Sequence, residues 1–101
     1  MNNVIMTGIL DGDAQLVYEH SDGKKSLYKF KLRIPKPFKN KQGKIEEDVI
    51  NIKIWSGNLD DEAILHDQAS VGIEGRVQSY QTKDLKNFYN EIFAHRIFYL
   101  A

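Results

Sequence analysis

The chain has 101 residues, enough for one domain that hides roughly two thirds of its extended surface on folding, and too few for a (β/α)8 barrel or a doubly wound sheet. Hydrophobic residues at 42% and charged residues at 28% exclude a wholly disordered chain, and the lack of cysteine excludes disulfides, thiolate nucleophiles and cysteine metal sites. Fourteen basic and fourteen acidic residues cancel, so net charge gives no hint of a polyanion partner, but their order along the chain does.

Asn3–Leu10 (NVIMTGIL) reads as a first strand, with Gly8 inside it as a bulge or sharp bend. The opening residues have no positive flank and no long apolar run, so they do not read as a secretory signal, and no stretch is apolar for long enough to span a membrane. A cytoplasmic protein with no membrane partner is the expectation. Asp11-Gly12-Asp13 is a turn, Gln15–Tyr18 resumes extended structure, and Ser21-Asp22-Gly23 is a second turn.

Leu27–Ile34 is the clearest strand. Tyr28, Phe30, Leu32 and Ile34 share one face and form core; Lys29, Lys31 and Arg33 share the other. Pro35 and Pro37 are expected to end this strand, because proline cannot donate to a ladder. Pro37–Lys44 (PFKNKQGK) then reads as a basic loop carrying Lys36, Phe38, Lys39 and Lys41. Residues 24–44 hold nine Lys or Arg and no acid, a block that calls for a polyanion, a facing acidic surface or plain solvent.

Val49–Trp55 is the next strand, with Ile50, Ile52 and Ile54 on one side and Val49, Asn51, Lys53 and Trp55 on the other. Leu59–His66 is the one plausible helix, about two turns long, capped by Asn58 or Asp60, with His66 at its C-terminal end where a cation suits the dipole. Val71–Tyr80 is a strand with Val71, Ile73 and Val77 inward, Arg76, Gln78 and Tyr80 outward, and Gly75 where the sheet bends. Gln81–Asn87 is a polar loop with Lys83 and Lys86. Phe88–Leu100 is the last strand, so uniformly apolar or aromatic that its facing stays open.

Five strands with a short helix between the third and fourth, and glycines where long strands must curl, form the pattern of an all-β, five-stranded OB-fold barrel spanning residues 1–101. An SH3-like barrel would put its helical turn before the last strand.

Four segments in order then resemble the bacterial single-stranded DNA-binding protein family: MNNVIMTGIL, YKFKLRIPKPFKNKQGKIEEDVINIKIW, SVGIEGRVQSY and NEIFAHRIFYL. The resemblance implies an OB fold that binds single-stranded DNA with little sequence preference in replication, recombination or repair. It also implies assembly into dimers or tetramers through first strands. By position it makes Trp55 a base-stacking residue and puts Tyr80 near the stacking region. Val49 stands where many members carry an aromatic. The chain stops at Ala101, short of the disordered linker and acidic tip by which relatives recruit partners, so either a longer protein was trimmed or the domain stands alone. The primosomal replication protein N family is a tailless relative.

Each candidate has a plainer reading beside it. Trp55 either stacks a base or packs under the helix or in a subunit interface. Lys29, Lys31 and Arg33 either contact phosphates or form a solvated face. Lys36, Phe38, Lys39 and Lys41 form a wrapping arm or an ordinary polar loop. Tyr80, Lys83, Lys86 and Tyr89 form a second basic-aromatic set or, for the rings, core. Lys53 flanks Trp55, and Arg76 serves phosphates or a local acid. His20, His66 and His95 lack metal-ligand spacing, and the carboxylate runs at Glu46-Glu47-Asp48 and Asp60-Asp61-Glu62 read as a strand entry and a helix start, not as a nuclease cluster. No catalysis and no cofactor is expected. RNA fits the same stacking chemistry. The rival class is a protein-interaction module of replication restart with weak nucleic-acid affinity.

Overall fold

The computed structural model describes residues 1–19 and 25–101; the expected turn at Ser21-Asp22-Gly23 and His20 lie outside the described residues. Six strands form one sheet: β1 (Val4–Leu10), β2 (Gln15–Glu19), β3 (Ser26–Lys39), β4 (Ile45–Trp55), β5 (Ser70–Gln81) and β6 (Phe88–Tyr99). Their order is β1-β5-β6-β4-β3-β2, and a β1–β3 pairing closes five of them into a barrel. β4 and β6 run parallel; every other pairing is antiparallel. β1 and β2 together occupy the place of the first expected strand, parted by a bend at Asp11-Gly12, where Gly12 adopts φ +89°.

The alternation read from the sequence builds the core. Phe30 and Leu32 of β3, Ile52 and Ile54 of β4, and Val71 and Ile73 of β5 are buried, joined by Leu10, Ile92, Ala94 and Ile97. Tyr28, Ile34 and Ile50 pack against this cluster half-buried. Gly8 is not a bulge: β1 keeps an unbroken register with β5 from Val4 to Ile9. A Cβ there would stand 2.6 Å from the Arg33 carbonyl oxygen and 2.8 Å from Leu32 Cγ. Glycine is needed because this is the seam where β1 closes on β3.

Four expectations are corrected. β3 does not end at Pro35; it runs to Lys39, and its ladder with β4 continues at Pro35↔Glu47 before shifting register ahead of Lys39↔Ile45. Both prolines tolerate this because extended φ suits them, and the interrupted ladder around Pro37 asks for no donor. Residues 34–48 are thus a hairpin arm, not a loop, turned at Asn40–Lys44. There Asn40 Oδ1 accepts from the backbone N–H groups of Gln42 and Lys44.

The helix at Leu59–His66 does not form. Two single 3-10 turns replace it, Ser56–Asn58 and Glu62–Ile64, and the cap is Asp61, whose side chain accepts from the Ala63 N–H. Eight residues with three consecutive acids cannot nucleate two α-helical turns without packing to support them. His66 therefore has no α-helix end to sit on; its Nδ1 lies 2.9 Å from the Asp67 carbonyl oxygen. Finally, Val77 is 39% exposed, because β5 has by then left the barrel for its own hairpin arm with β6. The step out occurs at a register shift where His95 is the extra residue, and a Cβ on Gly75 would stand 2.5 Å from the Phe93 carbonyl oxygen.

Candidate nucleic-acid interface

The outward face of the barrel wall is one continuous surface set by strand register. Leu27↔Trp55, Lys29↔Lys53 and Lys31↔Asn51 are cross-strand partners on β3 and β4; Lys53↔Phe93 continues the row onto β6, and Phe93↔Arg76 onto β5. β2 adds Gln15 opposite Lys29 and Tyr18 opposite Leu27. A cleft of about 690 Å³ lies over this wall, lined by Lys29, Lys31, Asn51, Lys53 and Glu91 and bounded at one end by the Asp11–Gln15 bend.

Aromatic pairs flank this row in two places. At one, Trp55 is half-buried with the Tyr18 ring edge-on to it, centroids 6.2 Å apart at 89°. Beside Trp55 is a smaller hollow of about 420 Å³ with Lys25, Gly57 and Asn58. At the other, Tyr80 and Tyr89, direct cross-strand partners, stack at 5.4 Å and 24°. Arg76 lies 5.7 Å from the Phe93 ring centroid and donates to Gln78 Oε1, and Gln78 in turn donates to the Tyr80 hydroxyl.

Charge on this surface divides sharply. Lys29 and Lys31 are exposed and have no ion pair among the described residues. Arg33 is held by its own surroundings: Nη2 donates to Gln68 Oε1 at 2.8 Å, and Asp11 and Glu47 lie at 3.9 and 3.6 Å. Lys36 pairs with Asp48. Lys53 Nζ lies 2.8 Å from Glu91 Oε1 and 4.9 Å from the Tyr80 ring centroid. Contact with the Glu91 carboxylate holds the Lys53 pKa above the ordinary lysine value, against the desolvation of a half-buried ammonium. Burial first, and then Glu91, pushes the Tyr80 hydroxyl up.

Of the residues singled out in the sequence, the wall brings together Trp55, Lys29, Lys31, Lys53 and Arg76, and the β5–β6 arm brings Tyr80, stacked on Tyr89, against Lys53. Phe38, Lys39 and Lys41 stand out on the β3–β4 arm, with Phe38 63% exposed. Lys83 and Lys86 sit at the tip of the β5–β6 arm, in a turn shaped by Asp84 accepting from the Lys86 N–H. Arg33 and Lys36 face acids instead. Sequence reasoning missed Tyr18, Phe93 and Glu91. Phe93 was findable, because Ile92 and Ala94 around it repeat the Ile52 and Ile54 spacing of the strand they pair with. Tyr18 was hidden by the register irregularity between Leu16 and Tyr18.

A closed five-stranded barrel with this connectivity and a ligand-sized cleft across its wall is an OB-fold protein. In solved structures the fold is similar to the dimeric N-terminal domain of PriB from Thermoanaerobacter tencongensis (TM-score 0.73, 23% identity, covering 99% of this chain and 97% of that one). It is also similar to the Plasmodium falciparum SSB in complex with ssDNA (TM-score 0.75, 15% identity, covering 100% and 96%). In sequence the chain is 30% identical over 100 residues to single-stranded DNA-binding protein B of Bacillus subtilis, covering 95% of this chain and 87% of that protein. It is 34% identical over 104 residues to single-stranded DNA-binding protein 3 of Listeria innocua, covering 99% and 64%. The chain belongs to the single-stranded DNA-binding protein family. It spans about two thirds of the Listeria protein and about half of the matched Streptococcus agalactiae protein, 64% and 48% of their lengths. No family model matches it.

Proposed function

We propose that this chain binds single-stranded DNA with little sequence preference, in replication, recombination or repair, and acts as a dimer or tetramer. The observation that carries the reading is the juxtaposition of Lys29 and Lys31, exposed and free of acid partners among the described residues, with two aromatic pairs close by, Trp55 with Tyr18 next along the β3–β4 ladder and Tyr80 with Tyr89 against Lys53. Cations along one strand neutralise phosphates and release counterions. Exposed rings accept bases of any identity, because every base has a π-face, each stack being worth about 1–3 kcal/mol. Phe38, Lys39 and Lys41 on one arm, and Lys83 and Lys86 on the other, extend the track beyond the wall. The names of the relatives and the single-stranded DNA bound by the Plasmodium falciparum neighbour point the same way.

The test is a titration with labelled oligo-dT of about 35 nucleotides, long enough to cross more than one OB domain, read by Trp55 fluorescence at low and moderate salt. Quenching with sub-micromolar affinity and a clear salt slope is the expected outcome. Absence of binding even at low salt would replace this reading with a protein-interaction module of replication restart.

A further inference from the structure

Glu91 is out of place on a surface that attracts phosphate. It lines the cleft together with Lys29, Lys31 and Lys53, yet only 9% of its side chain is exposed. Its Oε1 has Lys53 Nζ at 2.8 Å, and that same ammonium sits 4.9 Å from the centroid of Tyr80, the ring that stacks on Tyr89. Across the β3–β4 ladder Lys53 is the direct partner of Lys29. Two like charges directly opposed on one sheet face repel. Glu91 resolves the pair: it neutralises Lys53 and leaves Lys29 uncompensated.

We propose, on the strength of the single-stranded DNA reading above, that Glu91 is a positioning residue that divides the cleft lengthwise. By cancelling Lys53 and fixing it over Tyr80, it confines phosphates to the Lys29–Lys31 row of β3 and leaves the Lys53–Tyr80–Tyr89 half to bases. A phosphate drawn to Lys53 would come close to a carboxylate that is poorly screened where it is buried, and the repulsion there is stronger than in bulk water. A base brings no such charge, and the ordered ring pair beneath offers it a face to stack on. Lys53 therefore serves binding through the platform, not through counterion release.

The experiment measures the dependence of oligo-dT affinity on salt for the whole chain, its E91Q variant and the double variant K53M/E91Q, which removes both charges together and strands neither. Phosphate contacts on single strands each contribute about 0.7 to the slope of log K against log salt. K53M/E91Q is expected to keep the wild-type slope while weakening binding and altering the near-ultraviolet circular dichroism of the tyrosines. E91Q is expected to free Lys53 for a phosphate and steepen the slope by about 0.7. A K53M/E91Q slope flatter than wild type by that amount would show Lys53 to be a phosphate contact and overturn the proposal. So would an E91Q slope no steeper than wild type. Either result leaves the DNA-binding reading standing, whereas a wild-type chain that ignores oligo-dT removes both.

Discussion

The two halves of β3 carry the same kind of residue to different ends. In the half inside the barrel wall, Lys29 and Lys31 look out over the cleft with Lys53 and Asn51 opposite them. In the outer half, Arg33 at the β1–β3 seam and Lys36 on the arm meet Glu47 and Asp48 from the facing strand. Nine Lys or Arg within residues 24–44, with no acid among them, look like one basic block in the sequence, yet the hairpin folds the acidic entry of β4 onto its outer part. A charge run becomes a surface only after the ladder has decided what lies opposite. Lys29 and Lys31 stay uncompensated because Lys53 and Asn51 lie opposite them and no carboxylate among the described residues pairs with them, whereas Glu47 and Asp48 reach Arg33 and Lys36.

That contrast depends first on barrel closure. Gly8→Val would push a side chain into the Arg33 carbonyl and Leu32 at the β1–β3 seam. We expect a loss of roughly 3 kcal/mol, which for a domain of this size lowers Tm by on the order of 15 °C. A thermal melt showing a wild-type Tm would mean the seam yields more easily than its geometry allows. The next effect separates the two halves. K29E/K31E removes two phosphate contacts worth about 0.7 each in salt slope, so at about 50 mM salt oligo-dT affinity falls on the order of 100-fold while the fold persists. The matching change on the arm, K36Q/D48N, deletes a pair that already cancels. Its salt slope should match wild type and its affinity stay within about threefold, as for exposed ion pairs of little net worth. Equal losses from the two double variants would erase the distinction between wall and arm.

Much of the wall was legible in the sequence because period-two alternation is strict where one strand face is core: Phe30, Leu32, Ile52 and Ile54 are all buried as their spacing requires. The places that were not legible are places where that period breaks. Pro35 and Pro37 suggested a strand end, but an interrupted ladder accepts them. The extra residue His95 changes the facing of β6 midway, so Ala94 and Ile97 both point inward although three residues apart. No local pattern in an apolar run announces such a bulge. The helix failed for the opposite reason: capping residues were present, but LDDEAILH is too short to be helical without a packed face, and single turns form instead. Glu91 could not be found from sequence at all, since its meaning depends on Lys53, 38 positions away and on another strand.

The smallest effect concerns what tethers Arg33 to the neutral side of the comparison. Asp67 Oδ1 accepts from the Gly12 N–H at 2.7 Å and from Gln68 Nε2 at 3.0 Å, and Gln68 is the residue that accepts from Arg33. The Gly12 hydrogen bond, with help from Gln68 and the nearby guanidinium, holds the Asp67 carboxyl below the ordinary aspartate value. A carboxyl whose folded pKa is depressed contributes stability that is complete above its unfolded value and disappears as pH falls through the folded one. Asp67→Asn keeps an oxygen for Gly12 but cannot ionise. The variant should therefore melt slightly below wild type near neutral pH, and the gap should close as pH falls from the ordinary aspartate range down through the lowered pKa of the wild-type carboxyl. Asp84, also lowered by its contacts with Thr82 and Lys86, titrates in both proteins and drops out of the difference. A Tm gap that stays constant across that range would mean the Asp67 charge does nothing for the tether. Arg33 would then be held by Asp11, Glu47 and Gln68 without it, and the boundary between the open and self-neutralised parts of β3 would rest on those contacts alone.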